Sequence, residues 1–112
     1  MDLHELRWSG SEKKIARQAF EAAIEAALAG IVTKFKAKAA AVVTVSDVWD
    51  IENYLRRLRR EADELFDYRY SRLCSVFARL ICLGHMDEGQ LAGLSDDKRE
   101  IILGLRDWMR ER

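Results

Sequence analysis

The stretch that decides the fold is residues 47–63, DVWDIENYLRRLRREAD. Apolar side chains recur through it every three or four residues, which is the pattern of one continuous seam on an α-helix. The members of that seam are Val48, Ile51, Leu55, Leu58, Ala62 and, just beyond the stretch, Leu65. At about 100° per residue, Trp49 lies roughly 140° from the centre of the seam, among the charged residues. A helix that covers only its own core does not need a tryptophan there, so the stretch predicts two contact surfaces, one for its own chain and one for a second protein.

The predicted interface consists of the residues that share the face of Trp49, namely Trp49, Glu52, Asn53, Arg56, Arg59 and Arg60. Tryptophan and arginine are the residues that most often anchor protein interfaces. Two alternatives stay open. Trp49 could pack against the preceding helix as ordinary core. Most of the charges could form a solvated face neutralised by i,i+4 pairs, Arg57 with Glu61, Arg59 with Asp63 and Arg60 with Glu64.

Working outward, the pattern predicts a long helix before this stretch. Ser9 and Glu12 have the spacing of a capping box, so the first helix should run from about residue 11 to 41. Its apolar stripe consists of Phe20, Ile24, Leu28, Ile31 and Phe35. Gly30 interrupts the pattern and predicts close packing or a slight bend nearby. We expect Ser46 to cap the second helix, which should end near residue 67.

After the second helix, residues 66–71 contain no strong helix breaker. The third helix, about residues 71–83, is therefore either continuous with the second or joined to it by a bend. Gly84 should end it. Residues 87–93 form a short helix or a turn, and Ser95 is placed to cap a last helix.

The chain has 112 residues without proline, of which 49% are hydrophobic and 34% charged, so it is globular and suited to long helices. The fold class predicted is all-α: an elongated helical hairpin of two long helices with a compact C-terminal helical head. Residues 1–112 form a single domain, with a long-helix dimerisation region at about 11–67 and the head at about 68–112. A homodimer would cover the apolar area that so small a chain leaves open.

Charge and motifs exclude several classes of function. The chain has 19 basic and 19 acidic residues, which argues against a general nucleic-acid binder, and no apolar stretch is long enough to insert into a membrane. Residues 1–5 lack the pattern of a signal peptide, so we expect a cytoplasmic protein. His4 and His85 are isolated, and the sequence contains no phosphate-binding loop and no nucleophile motif. We therefore expect that the protein is not an enzyme and that it binds neither a cofactor nor a metal ion.

Several colinear segments resemble the fluorescence recovery protein family, from about residue 8 to residue 105. They are Trp8-Ser9, Asp47-Val-Trp49, Arg59-Arg60-Glu61-Ala62-Asp63, Phe66-Asp67-Tyr68-Arg69-Tyr70-Ser71, Val76-Phe77-Ala78-Arg79-Leu80, Gly84, Leu91, Leu94 and Asp97-Lys98. The resemblance implies an all-α homodimer that binds the photoactivated, red form of the orange carotenoid protein. It would speed return to the orange form and help detach that protein from the phycobilisome, ending photoprotective quenching.

The resemblance also implies which residues act. Trp49 and Arg59 match the interface and activity stripe of the family. Asn53 stands where the family usually has Asp, and Glu52 where cyanobacterial members often have His. A second partner patch is expected on the head at Tyr68, Ser75, Lys98 and Ile101, of which Ser75 takes a position that is often aromatic and Ile101 one that can be Lys. Because Asn53 lacks the charge that would pair with an arginine, a different protein client in a bacterium without phycobilisomes stays an alternative.

Overall fold

The computed structural model describes residues 6–112. Within that range the chain is all-α, as predicted, and contains no strand. Its elements, in chain order, are α1 (Gly10–Ala40), α2 (Val45–Leu65), α3 (Leu73–Cys82), a short 3₁₀ helix (Glu88–Leu91) and α4 (Asp96–Arg110). The molecule is elongated, with extents of 52 × 26 × 21 Å, because α1 and α2 form a long hairpin.

Three of the predicted helix ends are confirmed. The Glu12 N–H donates to Ser9 Oγ at 3.2 Å while Ser9 N–H donates to Glu12 Oε1 at 3.1 Å, which completes the capping box of α1. Ser95 Oγ accepts from the N–H of Lys98 at the start of α4. Gly84, at φ +80°, ends α3 in the left-handed conformation that glycine adopts without strain.

The predicted cap of α2 is wrong by two residues. Thr44, and not Ser46, is the N-cap: Thr44 Oγ1 accepts from Asp47 N–H at 3.2 Å. The Asp47 carboxylate in turn accepts from the N–H groups of Val43 and Thr44, both at 3.0 Å. Thr44 is the better cap because the residue three positions later is an acid, which completes a capping box, whereas the residue three positions after Ser46 is Trp49.

The connection between α2 and α3 is a bend, which settles the alternative that the sequence left open. α2 ends at Leu65, two residues earlier than predicted, and α3 begins at Leu73. Asp67 holds the bend: its two carboxylate oxygens accept from Arg69 Nε and Nη2 at 2.8 and 2.6 Å, and Arg72 Nε lies 3.5 Å away.

The hydrophobic core is confined to one end of the molecule. Every residue from 28 to 64 is at least partly exposed, and we call this segment the arm. The rest of the described chain, residues 6–27 and 65–112, is the head and holds every buried residue. By this definition about half of α1 belongs to the head, and the predicted division at residues 67 and 68 stays a prediction. Fully buried side chains such as Leu73, Phe77, Leu80, Leu91 and Ile102 form the centre of the head.

Candidate functional site

Trp49 lies one turn into α2 and points away from the molecule. Its side chain is 58% exposed and does not belong to the core, so the alternative that packs it against α1 as core is wrong for the single chain. An exposed indole on a helix is a large apolar surface with an N–H donor. It is therefore the strongest candidate contact that α2 offers to another protein.

The other residues of the predicted interface surround Trp49 on α2 and are all exposed: Glu52, Asn53, Arg56, Arg59 and Arg60. Glu52 Oε1 accepts from Arg56 Nη2 at 2.6 Å across one turn. The structure thus presents the six predicted residues along one helix, with an indole at one end and guanidinium groups at the other. This arrangement can bind an acidic, partly apolar protein surface.

The alternative that the charged face of α2 is neutralised by i,i+4 ion pairs is wrong for the three pairs that were predicted. None of the three predicted i,i+4 ion pairs of α2 forms within the described residues, and Glu64 instead contacts Arg79 of α3 at 3.5 Å. In each predicted pair arginine comes before the acid, which is the weaker orientation on a helix, whereas the pair that does form begins with Glu52. Arg57, Arg59 and Arg60 make no ion pair within residues 6–112 and keep their charge available.

The apolar seam of α2 is only partly covered by its own chain. Residues 6–112 contain eleven exposed large hydrophobic residues, and eight of them lie in the arm: Leu28, Val32, Phe35, Val43, Val45, Val48, Trp49 and Leu55. Between α1 and α2 lies a cavity of about 180 Å³, which Ile31 and Tyr54 line together with Leu58 and Leu65 at the head end. Gly30 also lines it, and a Cβ on Gly30 would meet nothing within 4 Å, so the close packing predicted there is absent from the single chain. Exposed apolar residues gathered in one region are typical of surfaces that bind another protein.

The predicted head patch is not one open surface. Lys98 is only 5% exposed and its Nζ lies 3.1 Å from Glu12 Oε1, so its inclusion in an exposed patch is a correction: the ammonium is held inside the head. Tyr68 is half-buried and packs edge-on against Phe20 at 4.8 Å between ring centroids. Ser75, also half-buried, donates to the carbonyl oxygen of Arg72. Ile101 packs partly against the core. Whether Tyr68, Ser75 and Ile101 contact a partner stays a prediction.

The sequence did not predict the polar network that fixes the head. Glu12 Oε1 accepts from Lys98 Nζ and from Ser9 N–H, each at 3.1 Å, and Glu12 Oε2 accepts from Ser95 N–H at 2.9 Å. One carboxylate thereby joins the first turns of α1 and α4. Burial raises the pKa of Glu12, but the N–H groups of Ser95 and Ser9 and the ammonium of Lys98 outweigh it and bring that pKa to about 2. The only sequence signal was the capping box, which gives no hint of a partner 86 residues away.

Among residues 6–112 no group of histidine, cysteine, aspartate or glutamate side chains is placed to hold a metal ion, and His4 lies outside the described residues. Burial raises the pKa of Cys74 to about 11, so its thiol is not poised as a nucleophile. None of the helices in this range is both long and apolar enough to cross a membrane.

The class of protein is given by a family model that matches residues 8–106 and is described as "Photoprotection regulator fluorescence recovery protein". A curated relative, the fluorescence recovery protein of Synechocystis sp. PCC 6803, is 31% identical over 101 residues, which cover 90% of this chain and 93% of that protein. The chain therefore belongs to the fluorescence recovery protein family.

Solved structures agree with this assignment. The fluorescence recovery protein of Fremyella diplosiphon superposes with a TM-score of 0.86 at 34% identity, covering 90% of this chain and 99% of the other. That of Synechocystis sp. PCC 6803 superposes with a TM-score of 0.85 at 30% identity, with the same coverage. The helical fold and the photoprotective class that the resemblance implied are confirmed.

Proposed function

We propose that this protein is a homodimer formed through its long helices, with a dimerisation region at about residues 11–67 that includes the arm, followed by the C-terminal helices at about residues 68–112. The observation that carries the proposal is the arm, which exposes eight large hydrophobic residues and buries none. A stable interface buries roughly 600–1,000 Å² per partner, and an apolar helical hairpin presented to an identical hairpin supplies such a surface. Trp49, Asn53 and Arg59 lie near the contact in this proposal.

The dimer acts on a protein client without covalent chemistry, in the cytoplasm. The client is the photoactivated orange carotenoid protein, and binding accelerates its return to the orange form and so ends phycobilisome quenching. Family membership supports the regulatory role. The guanidinium group of Arg60, which is exposed and is not among the residues placed near the dimer contact, supports binding of an acidic protein surface.

The mechanism is differential binding. A protein can speed the reversion of its client only if it binds the transition state of reversion more tightly than the photoactivated state. Each tenfold gain in rate requires about 1.4 kcal/mol of such preference. A helical face with an indole, an amide and several guanidinium groups is large enough to provide a preference of that size through a few contacts.

The direct experiment measures the recovery of the orange absorption of a photoactivated carotenoid protein in the dark, with and without this chain. We expect recovery to accelerate with the concentration of the chain until it saturates. The double variant Trp49→Ala/Arg59→Ala should lose most of the acceleration, while Lys14→Ala, on the far part of α1, should keep it. Unchanged recovery at saturating wild-type chain would refute the carotenoid protein as the client.

A second candidate is a dimer of the same architecture with a different protein client. Asn53 and Glu52 favour it, because the family usually has Asp at the first position and its cyanobacterial members often have His at the second. An amide cannot replace the charge of a carboxylate opposite an arginine. The variants Asn53→Asp and Glu52→His separate the candidates. If this chain is a weakened regulator of the carotenoid protein, these two substitutions should raise the rate at which the orange form recovers. If it is adapted to another client, both variants should stay inactive in that assay, and the wild-type chain should capture its own client from the host.

A further inference from the structure

A cluster of aromatic rings lies on the head where α1 meets the bend between α2 and α3. The Trp8 and Tyr70 ring centroids are 5.7 Å apart, and so are those of Tyr68 and Tyr70. Phe20 closes the cluster from α1, edge-on against Tyr68. Tyr70 keeps 38% of its surface exposed, so the cluster is open on one side.

Two cations of α1 are fixed over these rings. The guanidinium carbon of Arg17 lies 4.1 Å from the centroid of Tyr68, and Lys13 Nζ lies 5.3 Å from the centroid of Tyr70. Because Lys13 and Arg17 are four residues apart on one helix, they point in the same direction, with Cβ atoms about 6 Å apart. Cation–π contact orders the side chains while leaving the N–H groups at their edges free to bind an anion.

The surroundings of these cations are short of acceptors. Lys13 forms no ion pair within residues 6–112, and Arg17 has only Glu21, at the limiting distance of 4.0 Å and largely exposed. Glu12, the other acid nearby on α1, is turned inward to Lys98. In the same range, Trp8 Nε1 and Tyr68 Oη are buried and make no hydrogen bond. These two atoms are enclosed by the protein, so they are not the groups that an outside acceptor would meet. The donors that remain available to such an acceptor are Lys13 Nζ and the guanidinium group of Arg17.

We propose that Lys13, Arg17, Tyr68 and Tyr70, which we call the tyrosine shelf, dock an acidic segment of a partner protein. The two charged groups of the shelf are both cations, whereas the chain as a whole has 19 basic and 19 acidic residues, so the positive charge is local to this surface. The segment that fits carries two carboxylates about 6 Å apart, as on successive turns of a helix, with apolar atoms that rest on the Tyr70 ring. The shelf lies on the head, so this docking does not depend on dimerisation through the arm or on the identity of the client.

Octaglutamate serves as the probe because it carries the required charge without depending on any particular partner. Its binding to the wild-type dimer or monomer is measured by amide and tyrosine NMR shifts in low salt. We expect saturable shifts at Lys13, Arg17, Tyr68 and Tyr70, and binding that weakens as salt screens the charges. The double variant Lys13→Glu/Arg17→Glu should lose affinity by at least about tenfold.

The matched control is Lys14→Glu/Lys34→Glu, which changes the net charge by the same amount on the same helix without touching the tyrosines. It should bind octaglutamate within about twofold of wild type. The neutral variant Lys13→Gln/Arg17→Gln, checked for an unchanged melting temperature, guards against a folding defect and should also lose binding. Equal binding by all variants, no binding by wild type, or tighter binding of an oligothymidylate of the same charge would each overturn the proposal.

Discussion

The arm and the head differ although one helix runs through both. The apolar stripe of α1 is continuous, yet Phe20 is buried in the head whereas Leu28 and Phe35 are 46% and 39% exposed in the arm. In the head, the 3₁₀ helix packs against α1, and Tyr68 of the bend between α2 and α3 covers Phe20. In the arm only α2 is available, and a cavity separates the two helices. The apolar stripe of α1 is therefore covered by its own chain only in the head, and this difference supports the proposal that another protein surface covers the arm.

The two regions also use their charged residues differently. The head buries one carboxylate, Glu12, and satisfies it with three donors. The arm keeps its charges in water, where Glu52 and Arg56 form an exposed pair that contributes little to stability. We therefore expect substitutions in the head to change folding stability, and substitutions in the arm to change association.

The largest difference should appear between Phe77→Ala and Leu55→Ala. Phe77 is fully buried, so removing its ring should lower the free energy of unfolding by roughly 3–5 kcal/mol. Leu55 is exposed in the single chain, so its removal should cost less than about 1 kcal/mol at protein concentrations where the arm is uncovered. Urea unfolding at high dilution measures both, and similar losses would contradict the division into two regions.

The next effect is that of Glu12→Gln, which keeps the shape of the side chain but leaves the Lys98 ammonium buried without a counter-charge. Breaking a buried pair in this way should lower the free energy of unfolding by about 3 kcal/mol. The control is Glu21→Gln on the same helix, which removes an exposed charge and should be nearly neutral. A loss no larger than that of the control would mean that the pair does not hold the head together.

The same network predicts an acid-sensitive head. The pKa of Glu12 is about 2 in the folded protein against an ordinary 4.5, so the unfolded chain takes up a proton first as the pH falls. The contribution of Glu12 is complete above about 4.5 and is lost progressively between about 4.5 and 2. Asp47 and Asp67 also have lowered pKa values, through backbone N–H groups and through Arg69 respectively. Wild type and Glu12→Gln both contain Asp47 and Asp67, so the difference between their pH dependences reports Glu12 alone. The urea midpoint should fall more steeply with decreasing pH for wild type than for the variant. Parallel curves would contradict the lowered pKa of Glu12.

The smallest expected change in the free energy of unfolding comes from replacing Gly104 of the head or Gly30 of the arm by alanine. Both lie inside helices, and an added Cβ meets nothing within 4 Å at either position. Gly104→Ala should raise the free energy of unfolding by about 0.5–1 kcal/mol at any protein concentration. Gly30→Ala should match it in dilute solution but gain less where a second copy occupies the cavity between α1 and α2. Thermal melts over a concentration series test this, and identical gains throughout would place Gly30 away from the interface.

Local sequence rules predicted much of the fold because they depend on neighbouring residues. Ser9 with Glu12, Gly84 and Ser95 all end or begin helices as expected. The cap of α2 is also a local signal, because Thr44 has Asp47 three residues later, whereas the predicted cap Ser46 has no acid at that spacing. Lys98 could not be placed from sequence, since its burial depends on Glu12, which only the tertiary fold brings close.

All six predicted site residues of the arm are exposed, whereas the predicted patch on the head includes the buried Lys98. The angle of Trp49 from the apolar seam is a property of any helix, so the sequence favoured its exposure, although packing against α1 stayed open until the structure placed it outside the core. The ion pairs around it did not follow, because exposed pairs depend on orientation and on tertiary neighbours such as Arg79. The tyrosine shelf joins two segments far apart in the chain, and no single-segment pattern reveals it.

The central claim, that a second copy covers the arm at Trp49, is tested most directly by sedimentation velocity over a dilution series. The matched variants are Trp49→Ala in the arm and Trp108→Ala in the head, because the two indoles are similarly exposed, at 58% and 53%. We expect wild type and Trp108→Ala to sediment as dimers and to dissociate at similar concentrations. Trp49→Ala should dissociate at concentrations at least about tenfold higher. A wild-type chain that sediments as a monomer at every concentration, or two variants with equal dissociation constants, would contradict the account.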